Sequence, residues 1–391
     1  MSPALLFAVY LISVSLGLPD TLLGAAWPAM RPSLSAPLDS AGAVALVISL
    51  GTVCSSLLSA RLLRRLGTGK VALFSVLMTS VALFGFSAAP SLPFLLLAAV
   101  PLGLGAGAVD AGLNDFVAVH GKPRHMAFLH CFWGVGAMGG PVAISLFLSH
   151  GGQWRTGYRL AASFLLCATA VIFLLLPLWK EAERAPAPEP GEPPPPLLGN
   201  REALRLPGVK LTLLSFLCYC SLEHSAGLWA SSYLTECRAL PAGDAALCTA
   251  LFYGGIAAGR FCSGLLADRF RAQSLIRTGQ ILCAAGALLL LLPLPLPAAI
   301  PGLLLFGLGC APLYPAMLQE TPARFGRDAS QTVMGLQIAV GYLGSTVVPP
   351  LLGVAARRSS IAILPWFLLC AVAVLWLCRR RKVTLALSIK K

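Results

Sequence analysis

Charged side chains are the scarcest feature of this sequence. Asp, Glu, Lys and Arg together make up 11% of its 391 residues, whereas apolar residues make up 57%. Soluble domains average about 25% charged and about 45–50% apolar residues. A soluble chain of this length needs far more charge to cover its surface. The composition therefore excludes a soluble globular protein and indicates a chain that lies mostly in lipid.

Patterns typical of catalysis or metal binding are lacking as well. The sequence contains no cluster of metal ligands, no nucleophile–base pair and no phosphate-binding loop. Its twelve cysteines are scattered, and the pair Cys218-x-Cys220 has neither zinc spacing nor a second pair. We therefore expect no enzyme, no metal and no cofactor. Cys237 and Cys248 are both expected outside the membrane, so the sequence leaves undecided whether they form a disulfide.

A basic surface suited to nucleic acid is missing, although the formal net charge is +14. The Lys and Arg residues fall in short clusters between apolar runs, without interleaved aromatic residues, so no nucleic-acid partner is expected. If the N-terminus is cytoplasmic, most of these clusters also fall on the cytoplasmic side. This distribution follows the positive-inside rule. It predicts a multi-pass membrane protein with both termini in the cytoplasm. We also expect a monomer in the plasma membrane.

Apolar runs long enough to cross a bilayer are abundant. A transmembrane helix needs about 20 such residues, and the first run contains Asp20 and lacks a basic n-region, so we expect a span there rather than a cleaved signal peptide. Twelve spans are predicted, near 4–30, 41–60, 71–89, 93–119, 127–150, 156–178, 210–235, 245–266, 274–292, 297–320, 330–354 and 360–378. The predicted fold is an all-α membrane protein of twelve transmembrane helices.

Two halves of six spans are separated by a charged, Pro-rich segment, and such segments form extended spacers. We predict an N-terminal six-helix bundle at 1–178, a cytoplasmic linker at 179–209, and a C-terminal bundle at 210–391 with a short basic tail. Glycine pairs within 103–105 and 307–309 recur at a spacing of about 204 residues. A constant spacing predicts two pseudo-symmetric bundles. The substrate site of such repeats lies between them near the middle of the membrane.

Several polar residues lie inside apolar runs, where an ionised group is costly unless it faces a polar interior. Asp20 and Glu223 occupy equivalent positions in the two halves, whereas Asp110 and Asn114 share one helix face at i and i+4. Burial favours the neutral form of a carboxyl group, so these acids can exchange protons near neutral pH. Each acid also has a structural alternative. Asp20 could form a hydrogen bond within a helix break beside Pro19, and Asp110 could pair with an arginine from a loop.

Two histidines and two tryptophans complete the candidate substrate or proton site. His130 and His224 titrate in the range that proton coupling needs, although a hydrogen-bonded packing role is the alternative. Trp133 and Trp229 offer stacking surfaces for a flat solute such as a sugar ring. The alternative for these indoles is anchoring at the membrane interface.

A cytoplasmic gate is predicted at the end of the eighth span. Arg260, Asp268 and Arg269 lie at the inner mouth. A carboxylate there can pair with an arginine or a helix N-terminus while the mouth is shut, and separate from it on opening. Ordinary positive-inside charge is the alternative, but it leaves Asp268 unexplained.

The whole chain resembles the major facilitator superfamily. Its stretch Gly264-Leu-Leu-Ala-Asp268-Arg269 resembles that superfamily's loop motif, although Arg64 stands where the first-half motif usually has Asp. The resemblance implies the fold of two six-helix bundles and transport of a small-molecule substrate.

Within that superfamily, two stretches resemble the fucose–proton symporter branch. They are Asp20-Thr-Leu-Leu and the glycine-rich run 105–116, which contains Asp110 and Asn114. In that branch the first-span Asp and a fourth-span acid, there Glu, serve proton coupling and sugar binding. The resemblance implies these roles for Asp20 and Asp110.

The sequence predicts proton-coupled symport of a small polar solute, a sugar or related metabolite. A cavity lined by carboxylates and an amide favours hydroxyl-rich solutes, because hydrogen-bonding sites discriminate strongly for them. The alternative is proton-driven efflux of amphipathic compounds, since Gly136-x-x-x-Gly140-Pro141 partly resembles the fifth-span motif of drug exporters. The identity of the solute and the direction of transport stay open at this point.

Overall fold

The computed structural model describes residues 2–120, 123–184, 198–266, 270–293 and 296–389, and the regular structure in these ranges is entirely helical. The helices there are α1 (Pro3–Ser33), α2 (Ser40–Leu66), α3 (Thr68–Ala88), α4 (Leu92–His120), α5 (Pro123–Leu148), α6 (Trp154–Arg184), α7 (Asn200–Arg205), α8 (Val209–Arg238), α9 (Ala242–Leu266), α10 (Ala272–Leu291), α11 (Leu296–Cys310), α12 (Leu313–Phe325), α13 (Arg327–Arg358) and α14 (Ile363–Ile389). The predicted all-α membrane fold is confirmed.

Eleven segments within the described residues are long and apolar enough to cross a membrane. The predicted seventh span, α8, is 30 residues long but contains the polar stretch Ser221-Leu-Glu-His-Ser225. Most of α8 is buried against α1, α9, α13 and α14. A helix surrounded by other helices needs little apolar surface for lipid, so α8 completes the predicted set of twelve.

The predicted tenth span consists of two helices in one membrane-crossing segment, Ile300–Phe325. Helix α11 ends at Cys310, and α12 begins after Pro312. Proline lacks the N–H group that would continue the backbone ladder, and its ring clashes with the preceding turn. This explains the interruption within one apolar run.

The end of the predicted linker is folded rather than extended. Helix α7 buries Ala203 against Val209 and Leu213 of α8 and against Val333 of α13. The Thr332 hydroxyl also donates to the Leu198 carbonyl oxygen at 2.8 Å. Helix α7 itself contains no proline, and apolar side chains in and beside it give it a surface that packs against α8 and α13. The Pro-rich stretch 185–197 lies outside the described residues.

Matching glycines bring helices into backbone contact in both halves. A side chain on Gly103 of α4 would overlap the Ile48 carbonyl oxygen of α2, and one on Gly307 of α11 would overlap the Phe252 carbonyl oxygen of α9. Small residues of this kind permit close helix approach in membranes. The two glycines that recur in the sequence therefore perform the same packing role in the two bundles.

The two halves meet at the end of the molecule where α1 and α8 terminate. Arg31 of α1 forms an ion pair with Glu236 of α8. A second pair joins the halves with the opposite polarity, since Arg357 Nη1 of α13 lies 3.3 Å from Asp39 Oδ2, just before α2. The Ser231 hydroxyl of α8 also donates to the Ala25 carbonyl oxygen at 3.2 Å. This end of the bundle is closed by contacts between the halves.

Reversing one charge at this closure should shift the molecule toward opening. Arg31→Glu would place two carboxylates together, and exposed pairs of this kind contribute about 0.2–1 kcal/mol each. We expect a few-fold larger population of long distances between spin labels at Ser35→Cys and Ala239→Cys, measured after replacement of the other reactive cysteines. The double swap Arg31→Glu/Glu236→Arg should restore the short distance.

The matched control is Arg358→Glu, because Arg358 is exposed and adjacent to the second pair. It should leave the distance distribution unchanged. A double swap that remains open, or an equal shift in the control, would show that the Arg31–Glu236 pair does not hold this end.

Candidate functional site

Asp20 and Trp133 join α1 to α5 in the middle of the membrane segment. The Trp133 indole N–H donates to Asp20 Oδ2 at 3.2 Å. A side chain on Gly17, one turn earlier in α1, would overlap the Trp133 carbonyl oxygen. This close approach of the two helices places the indole beside the carboxylate. Asp20 is exposed although it lies mid-helix, so it faces an opening between the helices.

The opening lies between the halves. The Asp20 carboxylate is close enough to interact electrostatically with Asp110 of α4, Tyr253 of α9 and Tyr342 of α13. These helices belong to both bundles, so the carboxylate points toward the region where the bundles face each other. We refer to this region as the central cavity.

Asp110 and Asn114 share one face of α4, as the sequence predicts. The Asn114 side-chain amide donates to Asp110 Oδ1 at 3.1 Å and to the Asp110 carbonyl oxygen at 2.9 Å. Asp110 is exposed and Asn114 is half-buried. The amide therefore orients the exposed Asp110 carboxylate.

Glu223 and Arg260 form the polar centre of the second half. The Tyr219 hydroxyl donates to Glu223 Oε2, and Arg260 Nη2 lies 3.5 Å from Glu223 Oε1. The guanidinium carbon of Arg260 also lies 5.0 Å from the centre of the Trp133 ring, within the range of a cation–π interaction. A single arginine thus links the carboxylate of one half to the indole that holds Asp20 in the other.

The structure gives Arg260 a partner that the sequence did not predict. The sequence placed it in a cytoplasmic gate with Asp268 and Arg269, whereas the structure pairs it with Glu223. The physical reason is that α9 turns this side chain toward α8 and the central cavity. Asp268 and Arg269 lie outside the described residues, so the gate stays a prediction.

The two histidines occupy different positions relative to this network. His130 lies one turn before Trp133 on α5 and within electrostatic range of Arg260. The His224 Nδ1–H donates to the Cys220 carbonyl oxygen of its own helix at 3.0 Å. Both rings are exposed. His130 therefore lies next to the Arg260–Trp133 contact, whereas the His224 ring is held by α8 itself.

Trp229 lies away from the central cavity. Its side chain is fully buried, and its indole N–H donates to the Pro349 carbonyl oxygen of α13 at 2.9 Å. The ring occupies the space that a side chain on Gly353 would need. This indole packs α8 on α13, has no surface free for a solute, and is left out of the site proposed below.

Tyrosines supply site residues that the sequence reading missed. Tyr219, Tyr253, Tyr314 and Tyr342 all lie within electrostatic range of the acids of the cavity. Only Tyr219 had a local signal, because it precedes Glu223 by one helical turn. The others come from three separate helices, and no spacing along the chain connects them.

The glycines that resemble an exporter motif are explained by packing. A side chain on Gly136 would overlap the Val14 carbonyl oxygen, and one on Gly140 would lie 2.6 Å from the Leu18 carbonyl oxygen. Both contacts hold α5 against α1. The disulfide alternative is also resolved, since Cys237 and Cys248 are both free thiols.

Comparison with known proteins relates the whole chain to one family. The model described as Major Facilitator Superfamily matches residues 9–349 and, again, residues 213–388. Bypass of stop codon protein 6 of Saccharomyces cerevisiae is 26% identical, over 94% of this chain and 79% of that protein. The uncharacterized transporter y4wD of Sinorhizobium fredii is 25% identical, over 85% of this chain and 86% of that protein.

A solved structure supports the same fold. The crystal structure of the fucose:proton symporter FucP of E. coli matches with a TM-score of 0.61 at 17% sequence identity. The match covers 97% of this chain and 98% of that protein. At 17% sequence identity, this match shows that the two proteins share the arrangement of their helices.

Proposed function

Because this chain belongs to the Major Facilitator Superfamily of membrane transporters, we propose that it carries a small polar organic solute together with protons by alternating access. The supporting observation is the network Asp20–Trp133–Arg260–Glu223, which links acids of the two halves across the central cavity. Acids that can be neutralised, placed where the halves must separate, are the physical requirement for proton coupling.

The polar lining supports a hydroxyl-rich solute, a sugar or related metabolite. Asp110 and Asn114 present a carboxylate and an amide on one face, and four tyrosine hydroxyls lie within electrostatic range of the acids. Sites built from hydrogen-bonding groups bind solutes that satisfy them and reject analogues that leave them unpaired. The resemblance of the first and fourth spans to the fucose–proton symporters points to the same class.

The closed end supports an assignment of the conformational state. Arg31, Glu236, Asp39 and Arg357 close the end opposite the N-terminus, and the distribution of Lys and Arg predicts that this end is extracellular. We therefore propose a plasma-membrane monomer with cytoplasmic termini, whose cavity in this state communicates with the cytoplasm. Opening requires the two ion pairs between the halves to break.

Uptake into proteoliposomes tests the proposal. A panel of labelled sugars, sugar acids and related metabolites is offered with and without an imposed pH gradient. We expect at least one polar solute to accumulate inside the vesicles when their interior is more alkaline than the outside. Protons then flow inward down their gradient, and this flow releases the free energy that drives uptake. A gradient of one pH unit corresponds to about 1.4 kcal/mol, which supports about tenfold accumulation at one proton per solute.

The opposite outcomes are equally clear. Accumulation that is indifferent to the pH gradient would overturn the proton coupling. Extrusion of amphipathic compounds against that gradient, with no uptake of polar solutes, would instead establish proton-driven efflux.

A further inference from the structure

Arg260 is a cation inside a membrane-spanning segment, where a charge is costly unless it has a partner or meets water. Its side chain is 17% exposed, so it is not fully enclosed by the helices around it. Its closest carboxylate oxygen lies at 3.5 Å, whereas charge-assisted hydrogen bonds measure about 2.7–2.9 Å. The ion pair with Glu223 is therefore loose.

The contacts of Arg260 leave donors unused. A guanidinium has five N–H groups arranged as a planar fork. The Trp133 ring lies against one face, the Tyr219 hydroxyl accepts a hydrogen bond from the guanidinium, and one oxygen of Glu223 lies 3.5 Å from Nη2. These contacts do not use all five N–H groups, so the guanidinium has donors left for a ligand.

We propose that Arg260 binds a carboxylate group of the transported solute, which is therefore a hydroxylated organic acid rather than a neutral sugar. This inference rests on the transport function proposed above and names the class of its substrate. The planar fork of arginine matches a carboxylate through two parallel hydrogen bonds. An indole on its face fixes the plane of the fork, and Asp110 with Asn114 can hold hydroxyl groups at the other side of the cavity.

The charges around Arg260 limit the solute to one negative charge. Among the residues that the structure describes, the acids of the cavity are Asp20, Asp110 and Glu223, and Arg260 is the arginine that lies among them. A phosphate group carries about −1.5 to −2 charge at neutral pH and would meet stronger repulsion from these acids. A carboxylate needs only one cation to match it.

The same geometry explains why a proton must accompany the acid. While Glu223 is ionised it occupies Arg260 and repels a second carboxylate. A proton on Glu223 removes that charge, and the guanidinium is then free for the solute. Among the described residues, the titratable or charged groups within electrostatic range of Glu223 are Arg260, Tyr219, Cys220, Tyr253 and Cys310. Those within range of Arg260 also include His130 and Cys131 on α5 and Tyr314 on α12.

Binding to the purified full chain tests the inference without a proton gradient. Matched triplets are used, each with a neutral sugar, its sugar acid and its amino sugar: galactose, galacturonate and galactosamine, and the corresponding glucose series. Binding is measured by the shift in melting temperature and by competition. We expect at least one acid to bind about tenfold or more tightly than its neutral partner, the usual difference for one charged hydrogen-bonded contact.

Variants separate charge from geometry. Arg260→Gln should remove the preference for the acid, and Arg260→Lys should restore it only in part, because lysine keeps the charge but lacks the fork. The matched control is Arg277→Gln, which removes an arginine on α10 whose ring contact is with Trp376. It should keep the preference.

The variant Glu223→Gln provides a second test, the pH dependence of binding. This dependence would not change if Glu223 had only a structural role. In the unaltered protein, binding of the acid should weaken as the pH rises, because a proton is bound with it. The Glu223→Gln variant should bind the acid more tightly and lose this dependence on pH.

Equal responses to the acid and neutral members, including no response to either, would overturn the inference, and so would preferential binding of the amino sugars. Different outcomes would contradict the proposed function and this inference. Acid-selective binding without pH-driven uptake would overturn the coupling alone, whereas pH-driven uptake without acid selectivity would overturn this inference alone.

Discussion

Asp20→Asn is expected to abolish accumulation of the solute against its gradient while exchange of solute across the membrane continues. Asparagine keeps an oxygen that can accept from the Trp133 indole at the present distance of 3.2 Å, but it cannot bind and release a proton. The site therefore keeps its shape and loses one acid. With one proton per solute, an accumulation of about tenfold per pH unit should fall to the equilibrium value.

Two measurements on the same proteoliposomes check this result: accumulation under an imposed pH gradient, and exchange of labelled for unlabelled solute without one. The matched control is Asp244→Asn, since Asp244 is an exposed acid in the first turn of α9, away from the cavity. It should leave both measurements unchanged.

Asp110→Asn should give a different phenotype. Its carboxylate is oriented by the Asn114 amide, so its loss should weaken the affinity for the solute more than the coupling. If the Asp20→Asn variant still accumulates solute in proportion to the pH gradient, Asp20 takes no part in the coupling and Glu223 carries the proton alone.

Gly24→Ala should slow transport by about fivefold or more without unfolding the protein. A methyl group on Gly24 of α1 would overlap the Gly227 carbonyl oxygen of α8, across the closed end of the two halves. Overpacking a tight contact costs about 1–3 kcal/mol, which lowers the population of the closed state about fivefold to 150-fold. A cycle that must pass through this state slows accordingly.

Two further glycines act as controls on α1 and α5. A methyl group on Gly17 would overlap the Trp133 carbonyl oxygen within the N-terminal bundle. Gly17→Ala should therefore lower the melting temperature in addition to slowing transport. A methyl group on Gly139 would meet nothing within 4 Å, so Gly139→Ala should change neither property. Equal losses of stability at Gly24 and Gly17 would show that both contacts belong to one bundle core and that neither is a gate.

The pattern of apolar runs was sufficient to predict the fold class, because few backbone structures can span a membrane. A segment in lipid must satisfy its backbone internally, so each apolar run of sufficient length becomes a helix. The largest local departures were α8, whose polar residues are covered by neighbouring helices, and the short helix α7 at the end of the linker. In both cases a packing partner from another part of the chain decided the outcome.

The candidate site was predictable only where its residues are close in sequence. Asp110 and Asn114 share a helix face because of their spacing, and their contact follows from helix geometry. Trp229 shows the limit of such reasoning. Its position in an apolar run suits either a cavity or a helix contact, and only the location of Pro349 on α13 places it in the contact.

Composition, the length of the apolar runs and the spacing of residues were sufficient to predict a helical membrane transporter of two related halves with acids inside its spans. Those properties are local. The contacts of Arg260 with Glu223 on one side and with Trp133 on the other follow only from helix packing. These three residues come from α9, α8 and α5. Electrostatic and stacking contacts depend on distances in space, which helix packing sets and spacing along the chain does not.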